Sequence, residues 1–164
     1  MYPSSFEIES AVATSESPES NLLRKARDLY GAVLEPIVVQ KRASKDPTWA
    51  ESYTKLLAFN QTQYERVISL DSDSTVLQSM DELFFLPKAP VAIPRSYWLP
   101  QDEPVKVSSQ LIVIQPSKKE FARVQKAIAS AGDDDYDMEI FNSLYKDSAL
   151  ILPHRTYDLL TQVL

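Results

Sequence analysis

The chain has 164 residues, 44% hydrophobic and 24% charged, enough for one domain with a real core and ordinary for a globular protein. Its 17 basic and 23 acidic residues give a net charge of -6 without a basic cluster, which argues against nucleic acid and suits a ligand reached through a bridging cation, or solubility alone. The absence of cysteine excludes disulfides, zinc–thiolate centres and thiol nucleophiles, and with only Gly31 and Gly132 there is neither a glycine-rich dinucleotide loop nor a P-loop.

Residues 3–20 are rich in Ser, Glu and Pro and are expected to form a mobile surface segment leading into a helix. Ser17 suits its cap and Pro18 its first turn. Leu22, Leu23, Ala26, Leu29 and Tyr30 recur at helical spacing, and Gly31 ends the run. Residues 33–39 read as a strand that Pro36 confines to an edge or bulge. Asp46 and Pro47 open a second helix, with Trp49, Tyr53, Leu56, Leu57 and Asn60 along one side. Val67 to Leu70 is a short buried strand that runs straight into Asp71, Ser72 and Asp73. Residues 80–84 form a short helix. Residues 87–104 carry five prolines and are mostly extended loop, with a strand at 91–93. Leu111-Ile112-Val113-Ile114 is the clearest buried strand. Pro116 and Ser117 turn it into a helix over 118–131, with Phe121, Val124 and Ile128 on the inner face. A further helix covers 136–145, and Ala149-Leu150-Ile151-Leu152 is a last strand closed by Pro153.

Short apolar runs alternating with amphipathic helices predict an α/β fold, a mainly parallel sheet with flanking helices, in a single domain over 1–164. Apolar runs such as Leu83-Phe84-Phe85-Leu86 fall far short of a membrane span, and the first five residues lack the basic start and apolar core of a signal peptide. The chain as written is therefore expected in the cytoplasm.

Ligands of open α/β sheets gather at the carboxyl ends of strands. Asp71 and Asp73 follow such an end, and residues two apart in an extended chain point to one side. Carboxylates that close repel unless a cation lies between them. Mg²⁺ or Mn²⁺ takes oxygen ligands and keeps sites open for phosphate, so this pair could neutralise a departing diphosphate. The Asp-x-Asp pattern occurs three times, at Asp71/Asp73, Asp133/Asp135 and Asp135/Asp137, and only the first follows a buried strand. Either acid could instead cap the next turn. A calcium loop counted from Asp71 to Glu82 has Val76 where glycine is required. Taken singly, Lys55 reads as a solvated charge and Asp137 as a helix-start acid. Tyr97 and Trp98 suit sugar stacking or loop anchoring, and His154, the sole histidine, reads as structural.

The order Tyr53-Thr54-Lys55-Leu56-Leu57-Ala58-Phe59-Asn60, then Arg66-Val67-Ile68-Ser69-Leu70-Asp71-Ser72-Asp73, then Met80-Asp81-Glu82-Leu83-Phe84, resembles glycosyltransferase family 8, the glycogenin-like enzymes. Residues 108–117 and 135–140 extend the match. Residues 58–64, with Pro153-His154-Arg155 and Tyr157-Asp158-Leu159-Leu160-Thr161, are similar to a fungal branch of N-acetylglucosaminyltransferases. The resemblance implies a GT-A fold and a UDP-sugar donor, UDP-N-acetylglucosamine, with Mn²⁺ (or Mg²⁺) on Asp71 and Asp73. It implies that Lys55 touches the donor phosphates and sugar, that Ser72 and Ser109 line the donor site, and that Asp137 contacts the donor sugar, which makes Lys55 and Asp137 the catalytic pair. It also implies a mannose-containing glycan acceptor, retention of anomeric configuration and a Golgi location for full-length relatives. The family's first strand and its C-terminal His and Lys-Pro-Trp segment have no counterpart here. The domain is thus expected to be incomplete at both ends and weakly active or inactive. The competing expectations are a non-catalytic remnant that binds a partner and a plain metal-binding module.

Overall fold

The cap and stop signals of the first helix are honoured in the computed structural model, which describes residues 1–6, 8, 17–42, 47–100, 102 and 104–161. Half of the segment 3–20 expected to be mobile, residues 7 and 9–16, lies outside the described residues; at its two ends Pro3 belongs to a short strand and Pro18 opens a helix. Two compact units are present, Met1–Gln40 and Lys41–Leu164. In the first, α1 (Pro18–Tyr30) starts where Ser17 Oγ accepts from Ser20 N at 3.1 Å and stops at Gly31, left-handed at φ 66°. Leu23 and Ala26 are half-buried, whereas Leu22, Leu29 and Tyr30 are exposed despite their spacing. The strand expected at 33–39 contracts to β2 (Pro36–Ile37), which pairs in parallel with β1 (Tyr2–Pro3). Prolines on both strands remove ladder donors and keep this pairing short.

The second unit holds a four-stranded sheet of β3 (Val67–Leu70), β4 (Val91–Pro94), β5 (Leu111–Ile114) and β6 (Leu150–Leu152), in the order β3-β5-β4-β6. The α/β class holds, but the mainly parallel expectation needs correction. β5 runs antiparallel to both β3 and β4, and only β4 and β6 pair in parallel. The reason lies between β4 and β5. Among the described residues no helix crosses over there; the chain folds back on itself, with Arg95 bridging Val107, Ser96 N donating to Lys106 O at 3.0 Å and Ser108 N to Pro94 O at 2.8 Å. Parallel neighbours need a long crossover, and this loop is a reversal. The crossover from β5 to β6 does carry helices, α2 (Lys118–Ser130) and α3 (Asp137–Tyr145).

Alternation along β4 and β5 sends Val91, Ile93, Ile112 and Ile114 to one face and Ala92, Leu111 and Val113 to the other. The first face packs under α2, α3 and a 3-10 helix, Ser52–Asn60. An α-helix was expected there; 3-10 turns at Pro47–Trp49 and Ser52–Asn60 are found, and Trp49 and Asn60 are exposed rather than inward. Three residues per turn align Tyr53, Leu56 and Phe59 in one row, and all three are buried. Phe59 stacks on Tyr145 at 5.9 Å between ring centres. On the second face Leu83, from the 3-10 helix Asp81–Phe85, meets Ala92, Leu111, Val113 and Leu152.

Asn142 of α3 secures the reversal. Its amide donates to Val107 O at 2.9 Å and Met138 O at 2.8 Å, and its oxygen accepts from Val107 N at 2.8 Å. Val107 is buried, so losing this partner strands a backbone donor and acceptor. Asn142→Ala should lower unfolding free energy by about 1–3 kcal/mol in urea titration; an unchanged midpoint would show that the loop holds its shape without it.

Candidate functional site

The same three-residue winding that sends Tyr53, Leu56 and Phe59 into the core puts Ser52 and Lys55 on a second row. That row meets Asp137, the first residue of α3. Asp137 N donates to Ser52 Oγ at 3.4 Å, and Lys55 Nζ lies 3.0 Å from Asp137 Oδ2. Lys55 Nζ also donates to Asp71 Oδ1 and to Ser109 O, the latter at 3.3 Å. The antiparallel register explains why Asp71 and Ser109 are neighbours. Leu70 faces Leu111, so the residue after β3 lies beside the residues before β5, and Asp71 N donates to Gln110 O at 3.0 Å.

One ammonium thus serves two carboxylates. Asp137 is 4% exposed, and its Oδ2 meets Lys55 as an ion pair without hydrogen-bond alignment. Its position in the first turn of α3 favours negative charge there. Burial alone would depress the Lys55 pKa, but Asp137 and Asp71 outweigh it and the net direction is up. Asp71 also moves up. Burial is the main cause, Lys55 opposes it, and the charges of Asp137 and Asp73 add to it. The two directions agree physically, because a lysine with two acids is well compensated and each acid is not.

Lys55, Asp71, Asp137 and the Ser109 carbonyl therefore converge. Ser72 and Asp73 do not join them. Both are exposed, in a turn closed by Ser74 N donating to Asp71 O at 3.0 Å. The chain after β3 turns rather than extends, so the two-residue alternation invoked for Asp71 and Asp73 does not operate. Asp73 remains close enough for Asp71 to feel its charge. Among the described residues no group of three or more His, Cys, Asp or Glu is placed to hold a metal ion. Asp71 is engaged by Lys55 and Asp73 is exposed on the turn, so these two carboxylates do not form a closed cage for a cation.

The other candidates have structural partners. Asp135 Oδ2 accepts from Gly132 N at 2.6 Å, and its carbonyl accepts from the Tyr53 hydroxyl. Glu82, the last position of the calcium-loop reading, accepts from the Tyr157 hydroxyl at 2.9 Å. His154 stacks on Tyr97 at 4.5 Å, and Trp98 sets its edge to Tyr97 at 5.4 Å, which favours the anchoring role for these aromatics. One acid went unassigned in the sequence. Asp158 is buried near Asp71, and no periodicity marks it, because it follows the four-residue α4 (His154–Tyr157).

No family model matches the chain. It is 58% identical over 163 residues to a protein of Gibberella zeae named glucose N-acetyltransferase 1, covering 98% of this chain and 36% of that protein. A protein of the same name from Aspergillus fumigatus is 44% identical over 173 residues, covering 98% of this chain and 44% of its own length. A more distant match, 28% identical over 96 residues, is inositol phosphorylceramide glucuronosyltransferase 1 of Arabidopsis thaliana, covering 58% of this chain and 16% of that protein. The chain thus spans less than half the length of the curated relatives it matches.

Lys55→Met leaves Asp71 and Asp137 without their cation and should cost about 2–3 kcal/mol of stability near pH 7. The raised Lys55 pKa means that the wild-type contribution is complete below 10.5, the ordinary lysine value, and is lost as pH rises through the folded value. Asp71, raised above 3.8, opposes folding once ionised, so the deficit of the variant should shrink on acidification. Denaturant melts of both proteins across pH would show a constant difference if this pairing were idle.

Proposed function

We propose that this chain, a relative of the fungal proteins named glucose N-acetyltransferase 1, forms the donor side of a GT-A sugar transferase that takes N-acetylglucosamine from UDP-N-acetylglucosamine to a mannose-containing glycan. The observation that carries the reading is the reach of Lys55 Nζ to Asp71, Asp137 and Ser109 O at once. The cluster sets two carboxylates against one ammonium, so it would suit an anionic diphosphate only with a divalent cation on Asp71, which would offset the surplus charge and free Lys55 to turn to the phosphates.

In this reading Lys55 binds the diphosphate and steadies the charge left on it. Asp137 accepts hydrogen bonds from hydroxyls of the donor sugar and orients the ring. Ser72 and Ser109 flank the donor. Asp71 and Asp73 would hold a divalent cation, Mn²⁺ or Mg²⁺, which when bound supplies neutralising charge to the diphosphate. Retention follows if the acceptor hydroxyl attacks from the face the diphosphate leaves, its proton passing to the leaving oxygen, so that no side chain need act as nucleophile.

Isothermal titration of the chain with UDP and UDP-N-acetylglucosamine, with and without Mn²⁺, tests the reading. Binding should require Mn²⁺ and weaken by about tenfold or more in an Asp71→Asn, Asp73→Asn double variant. Unaltered affinity in that variant removes the metal assignment, and no binding of either ligand removes the donor-site reading.

A further inference from the structure

Trp49 is placed where packing does not call for it. The chain has two tryptophans, and the fold treats them differently. Trp98 is half-buried, with its edge against Tyr97. Trp49 is 53% exposed. Its ring neighbour among the described residues is Tyr136, 6.5 Å away between centres and inclined by 58°. In the Phe59–Tyr145 and Tyr97–His154 pairs the planes differ by 7° and 14°, so each ring covers a face of the other. At 58° the Trp49 and Tyr136 rings do not stack, and the indole keeps open face.

Neither ring hangs on a loose tip. Trp49 ends the 3-10 turn Pro47–Trp49, and Ala50 N donates to Pro47 O at 3.3 Å. Arg42 N donates to Ala50 O at 3.0 Å. The guanidinium of Arg42 donates to Ile128 O at 3.2 Å and to Ala131 O, at the end of α2. Three residues on from Trp49, Ser52 Oγ accepts from Asp137 N at 3.4 Å, and the Tyr53 hydroxyl donates to Asp135 O. Tyr136 lies between those two anchored residues, and its own N–H donates to Glu139 Oε2 at 3.2 Å. The turn that carries Trp49 is therefore fastened to the segment that carries Tyr136 and Asp137. Burial falls off along this line, from Asp137 at 4% exposed, through half-buried Tyr136, to Trp49.

A hexopyranose matches this mix of ring face and polar surroundings. Its axial C–H bonds form an apolar face of slight positive charge, which suits the negative face of an aromatic ring, while its hydroxyls reach sideways to polar groups. An indole offers a large rigid face and loses little conformational freedom when it is used. A ring fixed at the solvent edge of a buried carboxylate suits the sugar that enters from solution rather than the one held at the charged cluster. We propose that Trp49, with Tyr136 beside it, is a subsite for the acceptor: the exposed indole face stacks on a hexopyranose of the receiving glycan. This rests on the sugar-transfer reading above, in which that hexopyranose is mannose.

The test reads Trp49 directly. In Trp98→Phe the Trp49 indole is the sole tryptophan, so the emission reports on that ring alone. Titration of this variant with α-linked mannotriose, without nucleotide or metal, should change the emission along a saturable curve. Sorbitol, an open-chain polyol without a pyranose face, should not. Mannotriose affinity by saturation-transfer NMR should fall by about threefold or more from wild type to Trp49→Ala, and by less in Trp49→Phe, which keeps a ring. Because Trp49 is exposed, Trp49→Ala should melt within about 2 °C of wild type and bind UDP-N-acetylglucosamine with Mn²⁺ within about twofold of it. Emission that ignores mannotriose, an equal response to sorbitol, or unchanged mannotriose affinity in Trp49→Ala overturns the proposal. So does a Trp49→Ala protein that loses affinity for UDP-N-acetylglucosamine but not for UDP, since the ring would then serve the donor sugar. Wild-type protein that binds mannotriose through Trp49 but does not bind UDP upholds the subsite and counts against the donor-site reading.

Discussion

A single lysine shared by two acids is the constraint on which the second unit turns. Asp137 and Asp71 come from α3 and the end of β3, 66 positions apart in the chain, and Asp137 is buried and Asp71 partly so. Lys55 joins them, hydrogen-bonding Asp71 and the Ser109 carbonyl and pairing its charge with Asp137. Moving Lys55 leaves both acids uncompensated, which is costly in a partly buried setting, whereas moving either acid leaves a one-to-one pair. The arrangement carries one more negative charge than positive. That surplus is what an anion-binding site lacking a second cation would be expected to avoid and what a cation-assisted one would use.

The direction of β5 decides which residues can take part. In a parallel pair, the end of β3 would lie near the end of β5, beside Gln115. Because β5 is reversed, Asp71 meets residues that precede the strand, and the turn at 108–110 becomes a wall of the site. The charged cluster lies at the carboxyl end of β3 and at the amino end of β5. The reversal itself depends on the fold-back after β4 and on Asn142, so a residue of α3 outside the charged cluster, on the same helix as Asp137, helps set the register that builds it.

Much of the local structure was legible. Ser17, Pro18 and Gly31 delimit α1, Ser117 caps α2, and the apolar run of β5 is unambiguous. Strand direction was not, since a four-residue apolar run reads the same either way and only the connection distinguishes them. The 3-10 winding was hidden because Leu57 and Ala58 fill the gaps between Tyr53, Leu56 and Phe59 and mimic an α-helical stripe. Lys55 and Asp137 stood out through resemblance to a family, and singly they read as a solvated charge and a helix-start acid. Their burial against each other is a tertiary fact that no spacing encodes. Asp158 lies further still from legibility: it is buried although it follows a helix of only four residues, and no periodicity marks it.

The nine-residue 3-10 helix has a consequence for what the sequence can tolerate. With three residues per turn, every position belongs to one of three rows. One row feeds the core, and another carries Ser52 and Lys55. Exchanging a side chain disturbs one rung, whereas adding or deleting a single residue rotates everything beyond it by about a third of a circle and swaps the rows. Phe59 would leave its stack on Tyr145, or Lys55 would face away from Asp137. The segment behaves like a triplet reading frame, in which length is more tightly held than identity.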